Sequence, residues 1–188
     1  HDLASLENGT LENRVLGAAH TGTLCKYYRV AETEDMPHTY SMVTVLAHEW
    51  GHLLGMVHDG VKATYYTPAY EHVVCNPKDG YIMAPHLYGA RNGQWSACSL
   101  AHLKGFVRTL DQACLDITSQ TRYTINMREL PGAKITKKQL CHDSFPDFGP
   151  MTYKTAKLSE CSTMCCSKRF DTCMDVALVD GMKCKDGH

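Results

Sequence analysis

The chain has 188 residues, 44% of them hydrophobic and 21% charged, with a formal net charge of −1. That length suits one ordinary globular domain with a small second module, and the near-zero charge excludes nucleic acid or an anionic membrane as a charge-driven partner. No run approaches the eighteen or so apolar residues that a membrane span needs.

Ten cysteines point to an oxidising compartment, because cytosolic chains seldom keep so many thiols. Cysteine zinc sites would want CxxC pairs, and the sequence has none. One glycosylation sequon, Asn8-Gly9-Thr10, agrees with a secreted, extracellular protein. The residues from His1 onward read as the interior of something longer, without an initiator methionine or signal peptide.

In chain order, the small, glycine-bearing stretch 14–22 (RVLGAAHTG) predicts a strand that lets another backbone come close. Residues 40–57 (YSMVTVLAHEWGHLLGMV) predict a helix, with Thr39 or Ser41 available as its N-cap. The stretch 60–95 is rich in glycine and proline, has no clear period, and is of the length at which loops are often functional. Residues 98–114 predict a second helix, with Leu100, Leu103, Phe106, Val107 and Leu110 at helical spacing and Ser96 or Ser99 near its start. The polar stretch 118–132 ends in Pro131-Gly132 and suits a linker. After 140 periodicity is weak, and six cysteines are expected to do the work of a core. The expected division is 1–117, a linker 118–132, and a disulfide-rich module 133–188.

The densest chemistry is HEWGHLLGMVHDG at 48–60. On a helical wheel Leu46, Trp50, Leu53 and Val57 share an arc of about 60° that should face the core. His48 and His52, one turn apart, stand opposite, about 40° from each other, and can offer nitrogens to one ion. Gly55 can adopt the left-handed conformation that ends a helix, so the chain can turn and bring in His58. Three protein ligands leave one coordination position free, the arrangement of catalytic zinc; structural zinc takes four. Glu49 is rotated off the ligand face, poorly placed as a ligand but able to act on water as a general base. A lone HExxH arises by accident in many helices, but five fixed positions do not. By contrast His20, His38, His72, His86, His102, His142 and His188 lack partner spacing and are read as surface or structural. His86 also stands close enough behind the next motif to be weighed as a pocket wall.

HEWGHLLGMVHD resembles the HExxHxxGxxH motif of metzincin zinc peptidases, and GYIMAP at 80–85 resembles their methionine turn, with Met83 in that role. Asp59, directly after the third histidine, resembles the reprolysin branch, which includes the snake-venom, ADAM and ADAMTS enzymes. GTLC, WSACS at 95–99 and ACLD at 113–116 are most similar to ADAMTS-type and arthropod (tick) salivary members. The resemblance implies an α/β (α+β) metzincin catalytic domain of which 1–117 is the C-terminal portion, its N-terminal strands absent. It implies disulfides Cys25–Cys114 and Cys75–Cys98, where spacing alone leaves three pairings open. It makes Asp116 a candidate for a structural calcium site near the C-terminal end of the domain, alongside the implied zinc. It also implies that Val15, Leu16, Gly17 and Ala18 pair with the substrate backbone, while Ala84, Pro85 and the loop to Trp95 wall the pocket for the residue after the cleaved bond. LPG, CHDSFP, ECSTMCC and VDGMKCKDG resemble a disintegrin-like, cysteine-rich module, without an RGD triplet.

The expected function is that of a secreted zinc endopeptidase acting on extracellular matrix or plasma proteins. In that reading His48, His52 and His58 hold zinc, and Glu49 takes a proton from water and passes it to the leaving amine. One alternative is a non-catalytic extracellular binding protein or toxin acting through the cysteine-rich tail, where KITKK at 134–138 is a candidate contact for matrix or glycosaminoglycan. A weaker alternative is an HExxH peptidase with a downstream glutamate as third ligand; that class lacks the Gly55–His58 pair.

Overall fold

The structure, a computed structural model, describes residues 3–12, 15–36, 39–63, 74–86, 89–116, 129–157 and 159–184. Helices and short antiparallel sheets alternate along it. Strands β1 (Ser5–Glu7) and β2 (Thr10–Glu12) form a hairpin with Leu6 opposite Leu11. Asn8 (φ 50°) and Gly9 (φ 81°) make its two-residue turn, a pair of positive φ angles that Asn-Gly supplies more readily than other residues. This hairpin is missing from the sequence-based expectations, although the Asn-Gly signal was there to read.

The predicted strand at 14–22 is shorter: β3 spans Gly17–Ala19 and pairs antiparallel with β4 (Ala31–Thr33), Gly17 opposite Thr33. Helix α1 (Ser41–Leu53) packs against both. Beyond β3 the chain docks on the end of α1, where Gly22 N–H donates to His52 O (2.8 Å) and Leu24 N–H to Leu53 O (3.1 Å). These bonds satisfy helix C-terminal carbonyls that would otherwise need water, and they pin strand and helix together.

Helix α2 (Ala97–Val107) starts at Ser96, whose hydroxyl accepts from Ser99 N–H, so the capping serine is Ser96. The predicted helix to 114 instead breaks at Arg108, with a short helix α3 (Gln112–Leu115) resuming after Asp111. The core between α1 and α2 is made of Met56, Ile82 and Met83, with Ala47, Trp95 and Leu103 packed on it.

Three expectations about these helices need correction. The N-cap of α1 is Tyr40 in the left-handed region (φ 58°), neither Thr39 nor Ser41; the Thr39 hydroxyl accepts from Ser41 N–H and donates to Met36 O. Trp50 is 54% exposed and Leu46 39%, so they do not face the core with Leu53 and Val57. The helix is covered on two sides instead: Val45, Glu49 and Leu53 share one face, with Glu49 against Gly17 of β3, while Gly51 on the other side meets Met83. On α2, Leu100 is 50% exposed, and the buried face is Cys98, Ser99, His102 and Phe106.

The tail has a core of its own, against the expectation that cysteines alone would hold it. Helix α4 (Lys137–Ser144) lies on a three-stranded antiparallel sheet of β5 (Met151–Thr155), β6 (Ser162–Ser167) and β7 (Thr172–Ala177), in that order. Leu140, Phe145, Met151, Val176 and Met182 are buried together around Cys141 and Cys165. Disulfides Cys141–Cys165, Cys161–Cys184 and Cys166–Cys173 staple helix to sheet and strand to strand. Of the expected linker, 118–128 lies outside the described residues. Pro131–Lys134 forms a short 3-10 turn in which Gly132 N–H donates to Asp180 O (2.8 Å), which ties the Pro-Gly pair to the tail.

Candidate metal centre and active site

Helix α1 carries His48 and His52 one turn apart near its end, and Gly55 (φ 85°) then reverses the chain. That glycine is required twice: its φ suits no β-carbon, and a Cβ there would lie 2.7 Å from the Cβ of Phe106. The reversal returns His58 to the other two rings. His58 Nε2 lies 3.0 Å from His48 Nε2 and 3.2 Å from His52 Nε2. These three histidines form the one group of three or more metal-ligand side chains among the described residues.

The far side of each helical ring fixes its tautomer. His48 Nδ1–H donates to Ile82 O (2.7 Å) and His52 Nδ1–H to Met56 O (2.9 Å), which leaves both Nε2 atoms as lone-pair donors. Burial lowers the pKa of all three, that of His52 to about 4, so the rings are neutral at physiological pH. Lone pairs about 3 Å apart repel unless something electron-poor sits between them. A tetrahedral ion bound at 2.0–2.1 Å spaces its nitrogens about 3.3–3.4 Å apart, so the donor set fits zinc with a few tenths of an ångström of adjustment.

Glu49 is 5% exposed, and its Oε2 is buried without a hydrogen-bond partner among the described residues. Burial raises its pKa to about 7, which suits a group that takes and returns a proton near neutral pH. It lines a cleft of about 480 Å³ together with all three histidines. Val15, Leu16, Gly17 and Ala18 form one wall of that cleft, and Ala84 and Pro85 contribute to another. Ala19, Thr44, Val45, Ile82, His86 and Asn92 also line it. Thr44 and Val45 stand one turn before His48 and Glu49, so helical spacing could have found them. His86 lies against the cleft, the minor of its two sequence readings.

Met83 is fully buried against α1: a Cβ on Gly51 would come within 2.6 Å of its sulfur. Asp59 N–H donates to Met83 O (2.8 Å), which ties the third-histidine segment to the turn at 80–85.

Asp59 belongs to a buried polar network that the sequence reading missed. Its Oδ1 accepts from Ser96 Oγ (2.7 Å), and Ser96 Oγ is also within 3.0 Å of Ser99 Oγ. His102, 1% exposed, faces this carboxylate electrostatically, although neither ring nitrogen has a hydrogen-bond partner among the described residues. Burial raises the Asp59 pKa, and the Ser96 hydrogen bond pulls it back. The missed signal was Ser96-x-x-Ser99-x-x-His102, which repeats at helical spacing on one face.

Cys25 and Cys114 are bonded, as are Cys75 and Cys98, and these bridges anchor the segments flanking α1 and α2. Asp116 is exposed and accepts from Gln112 Nε2 (2.9 Å), and it belongs to no group of three metal-ligand side chains among the described residues.

Residues 1–118 match the family described as "Reprolysin (M12B) family zinc metalloprotease". The chain is similar to "A disintegrin and metalloproteinase with thrombospondin motifs 16" of Mus musculus, 29% identical over 89% of this chain and 13% of that protein. It is 35% identical to "A disintegrin and metalloproteinase with thrombospondin motifs 18" of Mus musculus over 70% of the chain and 10% of the relative. A "motifs like" relative from Bombyx mori is 30% identical over 71% of the chain and 20% of its own length. The chain thus spans a fifth or less of these three relatives.

Proposed function

Because the chain belongs to the reprolysin family of zinc metalloproteases, we propose that it works as a secreted zinc endopeptidase cleaving extracellular matrix or plasma proteins. The observation that carries this reading is the convergence of three neutral imidazoles beside a buried carboxylate, in a cleft walled by a strand.

His48, His52 and His58 hold the ion, oriented by the Ile82 and Met56 carbonyls. Zinc, when bound there, supplies Lewis acidity toward a peptide carbonyl and toward water. Val15 to Ala18 hold the substrate backbone as an added strand, which sets the scissile bond over the histidines. Glu49 takes a proton from the attacking water and returns it to the leaving amine, a cycle that its pKa of about 7 suits in both directions. Ala84, Pro85 and His86 bound the pocket for the side chain beyond the cleaved bond. Met83 gives the histidines an incompressible apolar floor. Secretion is supported by five disulfides among the described residues, and no described helix is long and apolar enough to cross a membrane.

A second role has support in the tail, which has a core and three disulfides of its own. Lys137 and Lys138 open α4 with no acidic residue in its first turn, and they are the candidate contact for a sulfated matrix glycan. Calcium at Asp116 stays a proposal, to be tested by calcium titration after zinc is saturated.

The deciding experiment compares wild type with Glu49→Gln on a protein substrate, with and without a chelator. The proposal expects chelator-sensitive cleavage by wild type and a loss of about 10²–10⁴-fold in the variant at unchanged zinc content. Cleavage that survives either change contradicts it. Glycan binding without any cleavage would favour the tail as the working part.

A further inference from the structure

We infer that Gly17 is a positioning residue for the Glu49 carboxylate: the absent side chain on β3 is the space in which the base sits. This deepens the hydrolytic reading and rests on it.

A Cβ built on Gly17 would lie 2.6 Å from Glu49 Oε1, 2.8 Å from its Cγ and 2.9 Å from its Cδ. Real Cβ atoms essentially never approach within 3.0 Å, and here three atoms of one side chain violate that limit together. Gly17 is not among the residues with positive φ, so its backbone makes no demand for glycine. Glycine inside a strand is otherwise unfavourable, because it loses more freedom on folding and packs nothing. Close approach of a substrate backbone would also favour a small residue here, but the atoms that a Cβ meets are those of Glu49.

The strand cannot retreat to make room. Gly17 is paired with Thr33, and Glu34 N–H donates to the neighbouring Leu16 O (2.7 Å). Gly22 and Leu24 fasten the following segment to the end of α1, the helix that carries Glu49. Strand and helix are therefore held at a fixed spacing, and a methyl group at position 17 must displace the carboxylate. Ordinary contact begins at 3.4 Å, so Oε1 has to move by at least about 0.8 Å from its 2.6 Å position. Misplacement on that scale costs a reacting group about a hundredfold in rate.

The test uses the zinc-loaded chain and the variants Gly17→Ala, Glu49→Ala and the double variant. Leu6→Ala serves as control, since that side chain is 74% exposed on β1 and does not line the cleft. Gly17→Ala should keep its zinc and its circular dichroism, lose about a hundredfold in kcat, and keep KM within about threefold. In the Glu49→Ala background, where Cγ, Cδ and Oε1 are all gone, the same substitution should change the residual kcat by less than about threefold. A crystal structure of Gly17→Ala should show the Glu49 carboxylate displaced while the three histidines stay in place.

A kcat within about threefold of wild type, an equal loss in both backgrounds, or an unmoved carboxylate overturns the inference. Should Gly17→Ala fail to fold while the double variant folds, the clash is with the glutamate side chain and the inference stands; failure of both overturns it. An inactive zinc-loaded wild type would instead refute the hydrolytic reading, and the crystal structure alone would then decide whether Gly17 sets the carboxylate position.

Discussion

Removing the hydroxyl of Ser96 should weaken the metal centre from the far side of the fold. Ser96 is fully buried; its Oγ donates to Asp59 Oδ1 at 2.7 Å and accepts from Ser99 N–H at 3.0 Å as the N-cap of α2. Ser96→Ala deletes both bonds. Loss of a capping serine to alanine costs about 1 kcal/mol, whereas loss to glycine costs only a few tenths. A hydrogen bond to a charged group contributes about 1.5–3 kcal/mol, and Asp59 Oδ2 already lacks a partner among the described residues, so nothing nearby compensates. The expected destabilisation is thus about 2.5–4 kcal/mol for Ser96→Ala and about 1 kcal/mol less for Ser96→Gly. Because Asp59 adjoins His58 and bonds to Met83 O, both variants should also hold zinc more weakly. The pH dependence has a definite sign. Burial holds the Asp59 pKa above its usual value, and the Ser96 bond opposes that shift. Without the bond the folded pKa rises further, so the deficit grows as pH rises through the carboxylate range and shrinks in acid. Urea unfolding of the chelated chain at pH 4 and pH 7 measures both effects. A cost below about 1 kcal/mol at pH 7, or equal costs for Ala and Gly, would refute the network's role.

Met83→Ala should cost about 2–5 kcal/mol, because Met83 is fully buried among Met56, Ile82 and Trp95; Met83→Leu should cost less than about 1.5 kcal/mol. Chemical unfolding checks this, and a negligible loss for alanine would mean the floor beneath the zinc helix collapses freely. Burial lowers the His52 pKa to about 4 from an ordinary 6.5, so the unfolded chain binds that proton first and the chelated protein should lose stability as pH falls from 6.5 towards 4. Melting temperatures across that range test the sign, and a rise on acidification would contradict it. Replacing Cys141 and Cys165 by alanine opens a fully buried bridge and should cost the tail about 2–5 kcal/mol while zinc content stays at one equivalent. Hydrogen exchange localises that loss, and protection falling around α1 instead would show that the two cores are not separable.

The centre was legible in sequence because few physical rules set it. Helical period fixes His48 beside His52, and the positive φ that Gly55 tolerates fixes where the helix stops and the chain turns towards His58. Burial direction was less legible. A wheel marks Leu46 and Trp50 as apolar but cannot say which sides will be covered, and the covered sides carry Glu49, against Gly17, and Gly51, against Met83, instead. On α2 the same ambiguity promoted Leu100 over His102, because a histidine scores as polar until its buried carboxylate neighbour is known. The tail hid its sheet for another reason: β6, STMCCS, is buried or half-buried on both sides, so it shows no alternation of apolar and polar residues.

The centre's main claim is that His48, His52 and His58 together hold one zinc ion with a coordination position to spare. Zinc-edge X-ray absorption on the purified chain should show one equivalent of metal, three nitrogen scatterers near 2.0–2.1 Å and a further oxygen, with one nitrogen lost in His58→Ala. A fourth protein ligand, a sulfur shell, or an unchanged spectrum in His58→Ala would contradict it.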